Sequence, residues 1–186
     1  LLVRLASDGR QVVRLKGGDP SVLGRVGEEA LHLCAHGISF EIVPGVSSAT
    51  SVPALVGIPL THRDRADAFT LVSAHPRERS EDRSIPPYHP RRSLVLLMAG
   101  ATVREWQTDL LRLGYPDELP LAFVSAACTT QQRVVVSTVA CEAADFETAR
   151  LATPVMAIAG WVVTLRALLA PASVERAATR FTEPLD

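Results

Sequence analysis

Two adjacent glycines that follow a short apolar run constrain this chain more than any other feature. The run at residues 12–15 contains β-branched side chains and is predicted to form a buried strand. Gly17 and Gly18 allow positive φ angles and a close approach of the backbone to a ligand, and Asp19-Pro20 turns the chain. A helix is predicted from about Gly24. The segment is therefore typical of a strand–turn–helix unit, and open α/β sheets bind ligands at such turns.

The turn alone does not identify a ligand. Neither the G-x-G-x-x-G fingerprint of dinucleotide-binding folds nor the G-x-x-x-x-G-K-[ST] phosphate loop is present at this position. Taken by itself, the glycine pair fits a tight turn in any α/β protein. A functional interpretation therefore needs motifs elsewhere in the chain.

Composition limits the classes of protein that this chain can represent. It has 186 residues, of which 47% are hydrophobic and 21% charged, so it can bury a core as one domain or two small ones. A net charge of −1 disfavours a nucleic-acid partner. No apolar run reaches the length of a membrane span and no signal peptide opens the chain, so we expect a cytoplasmic protein without a membrane partner. Cys34, Cys128 and Cys141 lack zinc-ligand spacing, so no metal is expected.

The remaining pattern alternates between strands and helices. Further strands are predicted at residues 40–43, 69–73, 94–98, 121–124, 133–139 and 155–163. Helices are predicted at residues 1–6, 26–36, 49–55, 103–113 and 142–149, and from about residue 164. Thr102 is predicted to cap the helix that begins at Val103. A loop rich in Pro, Arg, Ser and Glu is predicted at residues 76–92.

We predict two domains and a tail. The first spans residues 1–65, the second residues 66–170 and the tail residues 171–186. The strand at 12–15 would be the first visible strand of a parallel sheet, without the strands that precede it. The chain is therefore expected to be a C-terminal fragment of a longer protein.

Two polar clusters are candidates for function. Arg25 and Glu28 lie three residues apart at the start of a predicted helix and share one face, where the plain alternative is a solvated ion pair. Arg63 lies in the segment Thr61-His62-Arg63-Asp64, after an apolar stretch, where the plain alternative is a hinge loop with Arg63 paired to Asp64 or Asp67. His62 and His75 have no partners at metal-ligand spacing.

Three longer motifs carry a resemblance to a known family. They are VVRLKGGDPSVLGRVGEE at residues 12–29, VPGVSSA at 43–49 and GIPLTHRD at 57–64. In content and order they resemble the tetrapyrrole (corrin/porphyrin) methylases, and within that family most closely the uroporphyrinogen-III C-methyltransferases. The resemblance continues to about Arg166. It implies an α/β fold in which an incomplete N-terminal parallel-sheet domain precedes a mixed-sheet α/β domain.

The resemblance also implies a cofactor, S-adenosylmethionine, and residues that bind it. These residues are Gly17, Gly18, Asp19, Val22, Ser47, Ser48, Met98 and Ala127. The family commonly has Tyr-Met-Gly where this chain has Leu-Met-Ala-Gly, so Met98 is kept while the glycine is displaced by one position. Ser125-Ala126 replaces the Glu-Asn that often precedes the position of Ala127.

The substrate implied by the resemblance is a tetrapyrrole polycarboxylate, uroporphyrinogen III, which would be methylated on carbon to precorrin-2 for sirohaem or cobalamin. Arg25, Glu28, Arg63 and Met98 correspond to the family's substrate-facing positions. The family's acid and base residues correspond to positions upstream of residue 1, so no residue of this chain is assigned a catalytic role. A homodimer is expected from the family.

Two alternatives stay open at this point. One is another methylase of the same superfamily, and the other is a non-catalytic fragment that binds the cofactor but does not turn over substrate. The GIPLTHRD motif and the long string around Gly17 and Gly18 favour the first interpretation.

Overall fold

The computed structural model describes residues 1–75 and 84–169. Their contacts divide the chain into two compact units, the first Leu1–Ser48 and the second beginning at Ala49. The predicted domain limits of 1–65 and 66–170 stay a prediction. Residues 76–83 of the predicted loop and the predicted tail, 171–186, lie outside the described residues.

A mixed five-stranded sheet organises the second unit. Its strands are β1 (Ala68–Ser73), β2 (Arg92–Leu97), β3 (Pro120–Ser125), β4 (Arg133–Thr138) and β5 (Val155–Ala159). Their order in the sheet is β1-β2-β5-β3-β4, in which only β1 and β2 pair in parallel and the other neighbours are antiparallel. The predicted α/β class and the mixed sheet of its second domain are confirmed.

The central strands are buried on both faces, which explains their near-continuous apolar sequences. All five residues of β5 are buried, and β3 buries five of its six. Along β2, Leu94 and Leu96 enter one core cluster while Val95 enters the other, because successive side chains of a strand point to opposite faces. The first cluster contains Trp106 and Phe123, with ring centroids 5.9 Å apart.

The helices of the described residues are α1 (Leu2–Ser7), α2 (Val26–Ala35), α3 (Ser48–Leu55), α4 (Val103–Arg112), α5 (Glu142–Ala149) and α6 (Arg166–Leu169), with 3₁₀ turns at Ala99–Ala101 and Trp161–Leu165. Helices α1 and α2 precede the sheet in the chain, and residues of α3, α4 and α5 pack in the core clusters on its two faces. Among the described residues, no helix is both long and apolar enough to cross a membrane. Thr102 is the N-cap residue of α4, as predicted, but its hydroxyl makes no capping hydrogen bond and donates instead to the carbonyl of Ala74, at 3.1 Å.

The first unit contains α1 and α2 but no strand. The strands predicted at 12–15 and 40–43 are therefore wrong for this structure. Val13 and Leu15 are 82% and 83% exposed, so the run at 12–15 is not buried either. The physical reason is that a strand needs a hydrogen-bonded neighbour, and no other strand is assigned within Leu1–Ser48 to pair with these segments.

Candidate functional site

Two loops of the first unit lie directly against each other, one containing Gly17 and Gly18 and the other containing Gly45. A Cβ atom built on Gly45 would lie 2.4 Å from the carbonyl oxygen of Gly18, a distance that no side chain tolerates. Gly18 itself has a φ of +77°, and a Cβ there would lie 3.5 Å from the carbonyl oxygen of Val46. The close backbone approach at the glycine pair is made to the second loop, and approach of this backbone to a ligand stays a prediction.

The Asp19 carboxylate joins these loops. Its Oδ1 accepts hydrogen bonds from the Ser21 backbone N–H, at 2.8 Å, and from the Ser21 hydroxyl. Its Oδ2 accepts a hydrogen bond from the backbone N–H of Gly45, at 3.1 Å. The Ser21 hydroxyl, followed by the Gly45 amide, lowers the pKa of Asp19 below its ordinary value. Both carboxylate oxygens thus hold the loops in place, and direct contact of Asp19 with a cofactor stays a prediction.

An ion-pair cluster connects the glycine loop to helix α2. The Lys16 Nζ lies 2.6 Å from Glu29 Oε2, and the Arg14 Nε lies 3.2 Å from Glu29 Oε1. The Lys16 side chain is only 12% exposed, so this pair is better shielded from water than a surface pair. Sequence reasoning did not assign Lys16 a role, although a signal was present because it is the only lysine of the chain.

Arg25 and Glu28 form an ion pair at the start of α2. Their atoms Nε and Oε1 are 3.0 Å apart, and the side chains are 81% and 62% exposed. The backbone of Arg25 has a φ of 57°, which places it in the left-handed region just before the helix. The pKa of Glu28 is lowered, mainly by its own backbone N–H and then by Arg25. The structure shows the solvated pair that formed the plain alternative, and the pair is open to a ligand.

The loop that carries Arg63 is closed by a short bridge in the second unit. The His62 backbone N–H donates to the Ala66 carbonyl at 2.7 Å, and the Ala66 N–H donates back to the His62 carbonyl at 2.9 Å. Asp67 does not pair with Arg63, since its carboxylate lies 2.8 Å from the Nε of Arg91. Within residues 1–75 and 84–169, the exposed Arg63 guanidinium has no ion-pair partner. Sequence reasoning missed Arg91.

Met98 and Ala127 lie at one edge of the sheet. Met98 directly follows β2, has a φ of 57° and is 49% exposed. Ala127 follows β3 and packs against the second core cluster. Since β2 and β3 are both antiparallel to β5, their carboxyl ends meet at the same edge, where Val155 begins β5 opposite Ser125. A Cβ on Gly100 would lie 3.4 Å from the Cβ of Val155, so this edge is closely packed.

The sheet separates Arg63 from Met98. The carbonyl of Arg63 is bonded to Arg91, which precedes β2, whereas Met98 follows the same strand. The seven residue steps from Arg91 to Met98, at ~3.3 Å each, place these two positions about 23 Å apart. The structure therefore does not bring these two predicted substrate residues together. Met98 shares an edge with Ala127, which the sequence resemblance assigned to the cofactor.

No metal centre is apparent in the part of the chain that the structure describes. No group of three or more His, Cys, Asp or Glu side chains is arranged there to hold an ion. The three cysteines are free and exposed. His62 and His75 fall in loops without such partners.

Solved structures show which known fold this arrangement matches. Uroporphyrin-III-C-methyltransferase from Thermus thermophilus superposes with a TM-score of 0.79 at 39% identity, over 91% of this chain and 73% of that one. A second structure of the Thermus thermophilus enzyme, complexed with S-adenyl homocysteine, gives a TM-score of 0.69 at 37% identity, over 88% of this chain and 72% of that one. The fold is thus that of a methyltransferase acting on a tetrapyrrole.

Sequence comparison names the family. Residues 1–141 match the family described as Tetrapyrrole (Corrin/Porphyrin) Methylases, and the chain belongs to that family. The siroheme synthase of Azotobacter vinelandii is 42% identical over 91% of this chain, which spans 37% of that protein. An S-adenosyl-L-methionine-dependent uroporphyrinogen III methyltransferase of Methanosarcina barkeri is 37% identical over 91% of this chain and 68% of its own length. The chain therefore spans little more than a third of the siroheme synthase.

Proposed function

We propose that this chain takes part in the S-adenosylmethionine-dependent C-methylation of uroporphyrinogen III to precorrin-2. Family membership supports methyl transfer to a tetrapyrrole, and the named relatives support this particular substrate. The observation that carries the proposal is the end of the sheet where Met98 and Ala127 follow the carboxyl ends of β2 and β3, on either side of the beginning of β5 at Val155. Ligands of open α/β folds bind at such edges.

S-adenosylmethionine is the methyl donor in this proposal. In the first unit the proposed contacts are Gly17, Gly18, Asp19, Val22, Ser47 and Ser48, and in the second unit they are Met98 and Ala127. The closely packed glycine loops fit a ligand held by backbone groups, because their N–H groups can bind a carboxylate. The apolar side chains Met98 and Ala127 fit the flat surface of an adenosyl group.

Arginine side chains are proposed to hold the substrate carboxylates. Arg63 is exposed and carries a charge that no described carboxylate neutralises, and a guanidinium binds a carboxylate in a bidentate geometry. Arg25 is likewise exposed, and binding of a substrate carboxylate would compete with its pair to Glu28. Met98 is also proposed to contact the substrate, where the substrate approaches the cofactor at this end of the sheet.

The proposed reaction requires mainly that the protein align the methyl donor with the pyrrole carbon. A nucleophilic pyrrole carbon takes the methyl group from the sulfonium as the carbon–sulfur bond breaks, and the methylated ring then loses a proton. Correct positioning of two reactants can supply ~7–11 kcal/mol of the barrier. No residue of this chain is proposed as the base.

We further propose a homodimer in the cytoplasm, on the strength of the family resemblance.

The test is methyl transfer by the purified chain. It would be incubated anaerobically with S-adenosylmethionine and uroporphyrinogen III, with product mass as the readout and S-adenosylhomocysteine binding followed by calorimetry. Methylated product with two added methyl groups supports the full proposal. Cofactor binding without product supports the alternative of a non-catalytic fragment, and methylation of a different tetrapyrrole supports another methylase of the superfamily.

A further inference from the structure

We propose that Arg91 is a positioning residue for tetrapyrrole binding, which acts by fixing the loop that presents Arg63. The inference rests on the proposed function, since it assumes that Arg63 contacts a substrate carboxylate. It adds a residue that neither the sequence motifs nor the comparisons assign.

One side chain holds the loop at two points. The Arg91 Nε lies 2.8 Å from Asp67 Oδ2, and the Arg91 Nη2 donates to the Arg63 carbonyl oxygen at 2.8 Å. The Asp67 backbone N–H donates in return to the Arg91 carbonyl at 3.0 Å. Arg91 is thus bonded both to the residue that presents the charge and to the residue where the loop ends. A planar guanidinium can make both bonds at once, whereas a lysine ammonium cannot match this geometry.

The sheet explains why Arg91 is at the loop. Strands β1 and β2 are parallel, with Ala68 opposite Arg92, so the preceding residues Asp67 and Arg91 lie side by side. The other end of the loop is fixed from the same strand, because the buried Ser93 donates its hydroxyl to the Leu60 carbonyl at 2.5 Å. The loop from Leu60 to Asp67 is therefore anchored at both ends on the beginning of β2.

The charges distinguish the two arginines. Arg91 is neutralised by Asp67, and its side chain lowers the pKa of that carboxyl, so the pair stays ionised at neutral pH. Arg63, Asp64 and Arg65 together carry one net positive charge. An anionic substrate is therefore attracted to the residues around Arg63, while Arg91 already has a partner. Arg63 is therefore the residue that is available to bind the ligand, and Arg91 is the residue that holds Arg63 in place.

The experiment compares Arg63→Ala, Arg91→Ala, Arg91→Lys and the Arg63→Ala/Arg91→Ala double variant of this chain. Affinity for uroporphyrin III, the stable fluorescent form of the tetrapyrrole, would be measured by fluorescence and affinity for S-adenosylhomocysteine by calorimetry. Arg104→Ala is the matched control, because it removes another surface arginine–carboxylate pair of the same unit, 2.6 Å from Glu147. Hydrogen exchange of the Arg65 and Ala66 amides, both bonded to the His62 carbonyl, reports on the loop without any ligand.

We expect Arg91→Ala to weaken porphyrin binding about fivefold, within the range for the net loss of one ordinary hydrogen bond. The affinity of Arg91→Ala for S-adenosylhomocysteine should be unchanged, and its Arg65 and Ala66 amides should exchange faster. Arg91→Lys should give an intermediate loss of porphyrin affinity. The double variant should bind porphyrin no more weakly than Arg63→Ala alone, because Arg91 acts through Arg63.

Other results would overturn the inference in distinguishable ways. If Arg63→Ala weakens binding but Arg91→Ala behaves like Arg104→Ala, the inference fails while the proposed substrate site stands. Additive losses in the double variant would mean that Arg91 acts independently of Arg63. If the unaltered chain does not bind porphyrin, or if Arg63→Ala has no effect, the proposed substrate site fails and this inference fails with it.

Discussion

At the scale of single residues, Glu142 is the least expected side chain of the second unit. It is fully buried at the start of α5, and neither carboxylate oxygen has a hydrogen-bond partner among the described residues. A helix N-terminus favours the charged form, but burial without partners opposes it more strongly and raises the pKa of Glu142 to about 9. The side chain is therefore protonated in the folded protein at neutral pH.

This raised pKa predicts that the fold weakens as the pH rises. Between the ordinary carboxyl pKa of 4.5 and about 9, the folded state holds a proton that the unfolded state has lost, so the free energy of unfolding falls with increasing pH. From pH 5.5 to 8.5 we expect a loss of roughly 4 kcal/mol from this group, at ~1.4 kcal/mol for each pH unit. Glu142→Gln should remove this slope, which urea unfolding at several pH values measures. Glu105→Gln, at an exposed carboxylate on α4, should leave the slope unchanged. Equal slopes for the Glu142 variant and the unaltered chain would contradict the assignment.

A second residue-scale prediction concerns Asp19. Asp19→Ala removes the acceptor that links Ser21 to Gly45, so the two glycine loops should separate. We expect affinity for S-adenosylhomocysteine to fall about tenfold, close to the effect of losing one charged hydrogen bond. Asp8→Ala, at an exposed carboxylate of the same unit, is the control. Because the pKa of Asp19 is lowered, the link should persist at neutral pH and be lost only as the pH falls through that lowered value. Unchanged affinity in Asp19→Ala would show that the link does not support the cofactor site.

At the scale of structural elements, the contact between the two loops depends on Gly45. In Gly45→Ala the new methyl group would meet the Gly18 carbonyl at 2.4 Å, so the loops must move apart. We expect this variant to lose most of its affinity for S-adenosylhomocysteine, which calorimetry measures. Gly27→Ala is the matched control in the same unit, since a Cβ there has no atom within 4 Å and alanine favours the helix by ~1 kcal/mol. A Gly45→Ala protein that binds like Gly27→Ala would show that the loops do not need this approach.

Sequence patterns predicted the elements of the second unit better than those of the first. The bounds of α5 (Glu142–Ala149) were predicted without error, and β3 and β4 to within one residue at each end. These elements have strong local signals, such as apolar runs bounded by turn residues. The run at 12–15 has the same local signal, yet it forms no strand because pairing depends on a neighbour that the local sequence does not reveal. Thr102 was predicted correctly as the N-cap residue of α4, but the partner of its hydroxyl, the distant Ala74, was not predictable for a similar reason.

The candidate site was predictable only where a contiguous motif carried it. The glycine loop, the segment around Ser47 and Ser48 and the segment around Arg63 all lie in such motifs. Arg91 does not, because its partnership with Asp67 follows from the parallel pairing of β1 and β2, between residues 24 positions apart. Burial of Glu142 was also unpredictable, since the polar start of a helix ordinarily faces water.

At the scale of the whole molecule, the two units differ in how much they bury. The second unit has two apolar clusters on the two faces of its sheet. In Leu1–Ser48 no residue is buried, and large apolar side chains such as Val13, Leu15 and Val43 are mostly exposed. The strand order that creates the core, with β5 inserted between β2 and β3, could not be derived from the sequence. Buried apolar area provides most of the favourable free energy of folding, so the stability of the two units should differ.

Two helices of equal length test this difference. Helices α2 and α4 each have ten residues, but α4 buries Val103, Trp106 and Leu110 whereas α2 buries none. A ten-residue helix without tertiary packing is marginal in water. We therefore expect the amides of α4 to exchange with solvent deuterium only through global unfolding of the second unit, and those of α2 to exchange at least about a hundredfold faster. Hydrogen exchange with mass spectrometry measures both helices in one sample, so each serves as the control for the other. Comparable protection of the two would mean that contacts other than buried apolar side chains stabilise α2, and the ion pairs of Lys16 and Arg14 with Glu29 would be the first to examine by substitution.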